Sequence, residues 1–350
     1  MSVGVFAYLG LGVESSGGTP SFSASIVDYM SFVSETLAAT REDIDSQELA
    51  QSPDRRKVYS GIQRVGGQIQ VEAHPLTLGY LLRTAFDSTT TFAGGYGIPG
   101  VFGVNNSHAG VRTHKFTTRL GQFQSGSGCD LPCLTIEANR GPGLNVDSSF
   151  YYFNLATNVL EMTIEQGQLV RVSADMVGRD FGSAAKSTPA IPDAAAWLWS
   201  QASVSVDGVG ASIFESLTFR LNNALEPINR IGSGLRADQV RRNNFREMNV
   251  NGTMGFDSLA QFDRFRAGSE GQMIVHFQGD RINAASNINN VLRLDVPKFR
   301  YSTHAINASG PGRIIVNFEG RGVLDTTSDY AFEVWVTNTR INAYTVNSAA

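Results

Sequence analysis

The sequence predicts a mainly β protein made of two tandem copies of one strand-and-helix module. Three observations carry that reading. Alternation with period two recurs in many short runs separated by Gly, Asn, Asp and Ser clusters. One strand-then-helix unit occurs twice. The 350 residues also exceed the roughly 100–200 of a usual single domain.

The first unit opens with Gln68-Ile69-Gln70-Val71-Glu72-Ala73. Ile69, Val71 and Ala73 point one way and Gln68, Gln70 and Glu72 the other, so one face is buried and the other polar. His74-Pro75 ends the strand, since Pro suits a first helical position. Leu78, Leu81, Leu82 and Ala85 then follow the i, i+3, i+4, i+7 spacing of a short amphipathic helix. In the second unit Asn249, Asn251 and Thr253 alternate with Val250, Gly252 and Met254. Asp257 or Ser258 is the expected N-cap of a helix carrying Leu259 and Phe262.

The offset between the units is regular. Val250 follows Ile69, and Leu259 follows Leu78, by 181 positions, while Leu217 in Glu215-Ser216-Leu217 follows Leu37 in Glu35-Thr36-Leu37 by 180. Later, Val170, Val172, Ala174 and Met176 before Gly178-Arg179 mirror Ile314, Val316 and Phe318 before Gly320-Arg321 at an offset of 142. The shortfall, about 39 residues, assigns an extra segment to the first copy. Residues 88–126 hold Thr89-Thr90-Thr91, Gly94-Gly95-Tyr96-Gly97, Asn105-Asn106-Ser107 and Ser125-Gly126. They read as that insertion, a loop of a length that is usually functional or disordered. Residues 183–195 set Pro189 and Pro192 among small residues and read as a linker. The modules are therefore 1–182 and 196–350.

Composition narrows the function classes. Apolar residues supply 42% of the chain and no long polar or charged tract occurs, which argues for a folded protein. The net charge is -4 with no basic stripe, so a protein that grips nucleic acid by its phosphates is excluded. Charged residues are 17%, against about 25% in ordinary domains, and the 28 basic residues include only four lysines, Lys57, Lys115, Lys186 and Lys298. Arg over Lys suits protein interfaces, because the guanidinium is weakly hydrated and packs flat. Codon bias in a GC-rich genome gives the same skew. Met1 to Val13 lack Lys and Arg and carry three glycines, so no signal peptide is expected, nor any membrane span. Cys129 and Cys133 are too isolated for a zinc site or disulfide framework and are expected as reduced loop thiols.

Motifs for chemistry are missing. His74, His108, His114, His276 and His304 never fall at the spacing that puts two ligands on one helix face. Gly95-Tyr96-Gly97-Ile98-Pro99-Gly100 fits the dinucleotide fingerprint formally, but Pro99 and the residues after it cannot open the required helix. The sequence holds neither a nucleophile elbow nor a P-loop. Asn251-Gly252-Thr253 and Asn307-Ala308-Ser309 are glycosylation sequons in form only, since they need a secretory route. No catalytic residue, cofactor or metal ligand is predicted, and the chain is expected not to be an enzyme.

Several segments resemble the tail tube proteins of long-tailed bacteriophages, in that family's order. They are Tyr8-Leu9-Gly10-Leu11-Gly12-Val13-Glu14 running to Gly18-Thr19-Pro20, and Gln166-Gly167-Gln168-Leu169 through Val177-Gly178-Arg179. Val204-Ser205-Val206-Asp207-Gly208, Leu217-Thr218-Phe219-Arg220-Leu221 through Glu226, and Ala267-Gly268 follow. The resemblance implies a β-sandwich with a flanking helix per module, one sheet of which joins its neighbours into a barrel around a lumen. Six domains normally complete a ring, so a two-module chain implies a trimeric ring. The implied partners are further copies of itself, the tape measure protein, the tail terminator and baseplate proteins. DNA would pass through the lumen without specific binding. The implied location is the virion tail, assembled in the host cytoplasm.

A lumen that lets duplex DNA slide should be polar or acidic, because repeated cations would collect phosphates. Gln68, Gln70, Glu72, Asp175, Asn249, Asn251, Thr253 and Glu319 are the lumen candidates, with a plain solvent face as the alternative. Phe92, Tyr96, Phe102 and Arg112 in the insertion are candidates for contacts between stacked rings, together with the N-terminal segment. A baseplate, head-completion or decoration protein of the virion would share this pattern. A β-sandwich enzyme or carbohydrate-binding module would need clustered exposed aromatics or paired carboxylates.

Overall fold

The structure is a computed structural model that describes residues 6–14, 26–48, 51, 54–93, 110–119, 129–141, 148–257, 259–283, 288–307, 312–340 and 344. Strands take 61% of the chain and the described residues hold only two α-helices, so the protein is mainly β. The first half contains β1 (Tyr8–Val13), β2 (Asp28–Met30), β3 (Ser34–Glu35), β4 (Ala38–Asp45), β5 (Val58–Glu72) and α1 (Leu78–Ala85). After these come β6 (Ser88–Ala93), β7 (Arg112–Arg119), β8 (Leu134–Asn139), β9 (Ser148–Glu165), β10 (Arg171–Gly178) and β11 (Asp180–Ala185). The second half contains β12 (Ala202–Val206), β13 (Val209–Gly210), β14 (Phe214–Asn222), β15 (Leu225–Ile228), β16 (Gln239–Arg242) and β17 (Glu247–Gly255). It continues with α2 (Ala260–Ala267), β18 (Gly271–Asn283), β19 (Ile288–Asn307), β20 (Ile315–Val323) and β21 (Tyr330–Asn338).

Two long strands organise the ladders. The N-terminal part of β9 pairs with β8 and β11, and its C-terminal part with β10 and β14. The N-terminal part of β19 pairs with β18 and β21, and its C-terminal part with β20. One order of antiparallel neighbours thus recurs, β4–β5–β10–β9 in the first half and β14–β17–β20–β19 in the second. With Leu37 matched to Leu217 and Gly178 to Gly320, the ladders match Gly67, opposite Met176, to Gly252, opposite Phe318. The sequence match of Ile69 to Val250 is out of step with that register.

Alternation explains the core. On β5, Val65, Ile69 and Val71 are buried between outward polar residues, and β20 alternates Val316 and Phe318 against Asn317 and Glu319. One apolar cluster takes residues from both halves, among them Leu9, Ile69, Val172, Phe219, Val250, Phe318 and Val334, so the halves share a core.

Three local expectations change. Residues 88–126 are not all loop, because the Thr-rich Ser88–Ala93 and Arg112–Arg119 pair as β6 and β7, and β7 adds to β21. Threonine has high β propensity, which the glycines and asparagines around it obscured. The proposed linker begins later than residue 183, since Ser183, Ala184 and Ala185 belong to β11. Asp257 does not cap the second helix: Leu259 occupies the N-cap with no side-chain hydrogen bond, and Ser258 lies outside the described residues. Its end follows ordinary rules, with Gly268 left-handed at φ 60° as the C-cap. No helix among the described residues is long and apolar enough to cross a membrane.

Candidate functional site

Directly opposed residues on antiparallel strands point to the same side of a sheet. The ladder from β5 to β19 therefore defines the composition of one face, row by row. Glu72 opposes Arg171, which opposes Thr163, then Thr218, Asn251, Glu319 and Thr303. The next row runs Gln70, Ser173, Glu161, Arg220, Asn249, Arg321 and Arg300. Gln68 opposes Asp175, and Thr253 lies between Ser216 and Asn317. All eight residues singled out from separate strands, Gln68, Gln70, Glu72, Asp175, Asn249, Asn251, Thr253 and Glu319, thus lie on one face of one continuous sheet.

That face is polar and mixed in charge. Glu72, Glu161, Glu165, Asp175, Glu247 and Glu319 share it with Arg64, Arg171, Arg220, Lys298, Arg300 and Arg321. Arg220 sits 3.8 Å from Glu161, an exposed pair of little energetic weight that still keeps the arginine from presenting a free cation. Partial burial raises the Asp175 carboxyl above its usual range. Hydroxyls and amides of Ser216, Thr218, Asn251 and Thr253 line a shallow groove of about 300 Å³ on this face.

The sheet crosses the boundary between the halves. Ser216 to Asn222 of β14 pair with Glu165 to Val159 of β9, so the second half extends the ladder of the first. Its two ends stay open among the described residues: β3 and β4 pair only with β5, and β19 from Arg300 to Asn307 pairs only with β20.

The same boundary is sealed by polar contacts that sequence reading missed. Asn223 donates to the Ala85 carbonyl at 2.9 Å and to the Thr157 carbonyl at 3.0 Å, capping the end of α1. The buried Asp87 carboxylate accepts from Arg242 at 3.3 Å and from Arg246. Burial lowers the Arg246 pKa, and Asp87 pulls it back. The β15–β16 hairpin lies over the first half, where Val240 bridges Cys129 and Asp130 receives Arg241 at 2.5 Å. Cys129 and Cys133 form no disulfide and lie buried under this hairpin with Leu131, Ala156 and Leu225.

Glu14 and Glu137 are buried acids that order the first half. Glu14 accepts from Thr135 at 2.6 Å and from the Asn154 backbone at 2.7 Å, yet burial raises its pKa overall. Glu137 accepts from Tyr8 and from the Ser187 backbone, each at 3.0 Å. Of the insertion candidates, Phe92 stacks on Trp335 at 5.9 Å, and Arg112 at the start of β7 donates to the Val111 carbonyl at 2.9 Å. Tyr96 and Phe102 lie outside the described residues. Among the described residues no group of three His, Cys, Asp or Glu side chains could hold a metal ion.

The described sheet thus presents one extended polar face and leaves an open strand at each end. The sequence profile of phage tail tube proteins matches residues 6–322. The chain belongs to the phage tail tube protein family. It is accordingly a structural component of the virion tail. A comparison with curated proteins gives no match. The matched segment runs from before β1 to Gly322 in β20 and so takes in most of both halves, every lumen candidate and the boundary between them.

Proposed function

We propose that this tail tube protein closes into trimeric rings that stack into the hollow tube through which phage DNA is delivered to the host. The supporting observation is the pairing of β14 with β9 inside the chain. Taken as two tandem modules, 1–182 and 196–350, the chain holds one module-to-module junction and leaves the two edges of a second one open. In the ring, the β3–β4 edge of one chain meets the β19 edge of the next as β14 meets β9. A contact of this head-to-tail kind repeats by a fixed rotation until it closes, and closure removes the exposed edges that would otherwise template aggregation. Three chains supply the six modules of a tail tube ring.

The polar face then lines the lumen. Its carboxylates offset its cations and Glu161 holds Arg220, so the face offers passing phosphates no net positive charge and DNA slides rather than binds. Residues 88–126 and the N-terminal segment contact the neighbouring ring, while tape measure, terminator and baseplate proteins meet the tube inside and at its ends. Assembly takes place in the host cytoplasm.

Concentration-dependent assembly followed by negative-stain microscopy and sedimentation tests the reading. The expected result is hollow rings or tubes whose repeating unit has three times the subunit mass. Solid particles or a discrete dimer would overturn it. Deleting residues 92–110 should leave rings and abolish tubes.

A further inference from the structure

The two helices of this chain occupy the same place in the repeated topology but have opposite surroundings. All eight residues of α1 are buried and none of α2 is. The difference is not an inward apolar stripe missing from α2, because Phe262 and Phe265 do point inward, onto the His304 ring at 5.7 and 5.9 Å. What α2 lacks is the cover that α1 receives from the second half: the Asn223 cap, the Arg242 and Arg246 contacts beside it, and the β15–β16 hairpin over the segment that leads into β8.

The counterpart of that cover exists and is itself uncovered. Gly67 and Gly252 fix the correspondence, since a Cβ at either would strike a backbone carbonyl, Thr36 in one case and Ser216 in the other. By that register β4 and the N-terminal part of β5 correspond to β14 running into β15, and to β16 running into β17. Where β15 and β16 bury Leu225 and Val240, the β4–β5 arm carries Ile44, Val58 and Tyr59, all at least half exposed. Asp43 stands at the position of Asn223. Around α2, Leu259 is 58% exposed and Ile306, which matches the buried Leu160, is 37% exposed. In sequence position, Arg55, Arg56 and Lys57 at the arm's turn correspond to the Arg242 region, and Glu270 follows α2 as Asp87 follows α1.

We infer that the exposed face of α2, with Leu259 and the adjoining Ile306, is the docking surface for the β4–β5 arm of a second copy of this chain. The inference rests on the ring reading and specifies its seam: the arm clasps the neighbour's helix within a ring. His304 lies at the floor of this surface, 8% exposed with neither ring nitrogen hydrogen-bonded.

Two variants test it. Ile44→Asp with Tyr59→Asp spoils the arm and keeps α2, while Leu259→Asp with Ile306→Asp spoils the α2 face and keeps the arm. These side chains are exposed, so circular dichroism and melting of the single chain should match the wild type. Each variant alone should stay monomeric at concentrations where the wild type assembles. Mixed in equal amounts they should form a one-to-one dimer that grows no further, because only one sound arm and one sound helix face remain. Rings from either variant alone, or no dimer from the mixture, would overturn the seam. If the wild type makes no rings while the mixture still dimerises, the ring reading fails and the seam stands.

Discussion

Asn223 of the second half and Ala85 of the first are joined by a hydrogen bond of 2.9 Å that closes the last turn of α1. The same amide serves the Thr157 carbonyl, and Arg242 in turn donates to the Asn223 carbonyl at 3.1 Å. Because Asn223 is fully buried, Asn223→Ala leaves two carbonyls without donors and water without access. A loss of about 1–3 kcal/mol is expected in urea unfolding of the single chain. A change under a few tenths would mean that the boundary is held by packing alone.

Asp87 raises the stakes at the same boundary. Its carboxylate is 4% exposed and neutralises Arg242 and Arg246, which are 16% and 14% exposed. Asp87→Ala strands two desolvated guanidinium groups, for an expected loss of about 3–5 kcal/mol. Removing Arg246 in the Asp87→Ala background should then cost far less than removing it from the wild type. Additive losses in that cycle would show that the pair is not coupled.

His114 should make the chain acid-labile. The imidazole is fully buried against Tyr344, Thr91, Asn338 and the Arg340 carbonyl, and burial lowers its pKa to about 4. The nearby Arg340 and Arg112 charges push the same way. The folded chain therefore binds fewer protons than the unfolded one below the ordinary value of about 6.5. Stability is complete above that pH and falls as pH drops toward 4, by up to roughly 3 kcal/mol. His114→Gln should flatten this slope in a pH series of denaturant melts, and an unchanged slope would assign the acid lability elsewhere.

The strands and the helix that sequence alone located were those with a complete period. Gln68 to Ala73 and Asn249 to Met254 alternate cleanly, and the leucines of α1 repeat at helical spacing. Alternation says which side a residue faces but not which strand stands beside it. The single polar face therefore became visible only once the β14–β9 pairing was known, because register between residues so far apart is set by the shared core. The pairing of Arg112–Arg119 with Tyr330–Asn338 was hidden for the same reason. Asp87, Asn223 and Glu137 were passed over because a buried polar residue looks, in a sequence, like any surface one.

Gly67 and Gly252 should resist substitution together. A side chain at either would run into the neighbouring strand's carbonyl, and Gly67 also holds a φ of 149° that L-residues rarely adopt. Gly67→Val and Gly252→Val should each cost about 1–3 kcal/mol or more, by forcing β3 or β14 away. Gly232, which meets nothing within 4 Å, provides a contrast: its φ of 92° disfavours a side chain but no neighbour blocks one. Equal tolerance at Gly252 and Gly232 would mean that the strand contact is looser than the geometry requires.

The luminal assignment is testable by adding charge to the polar face. Asn251 is exposed between Thr218 and Glu319, and Glu72 lies in the same row. In a trimeric ring, Asn251→Arg would add three cations per ring, and DNA spanning several rings would meet the roughly 6–10 contacts that produce strong salt-dependent binding. Tubes should still assemble, because the residue lies on neither open edge. DNA release from phage carrying Asn251→Arg or Glu72→Arg should slow at low salt and recover as salt rises, since counterions compete for the same phosphates. Val209→Arg, on the exposed β12–β13 turn outside the ladder that forms that face, should release DNA normally at every salt concentration. Normal low-salt release from both face variants would put the lumen on another surface.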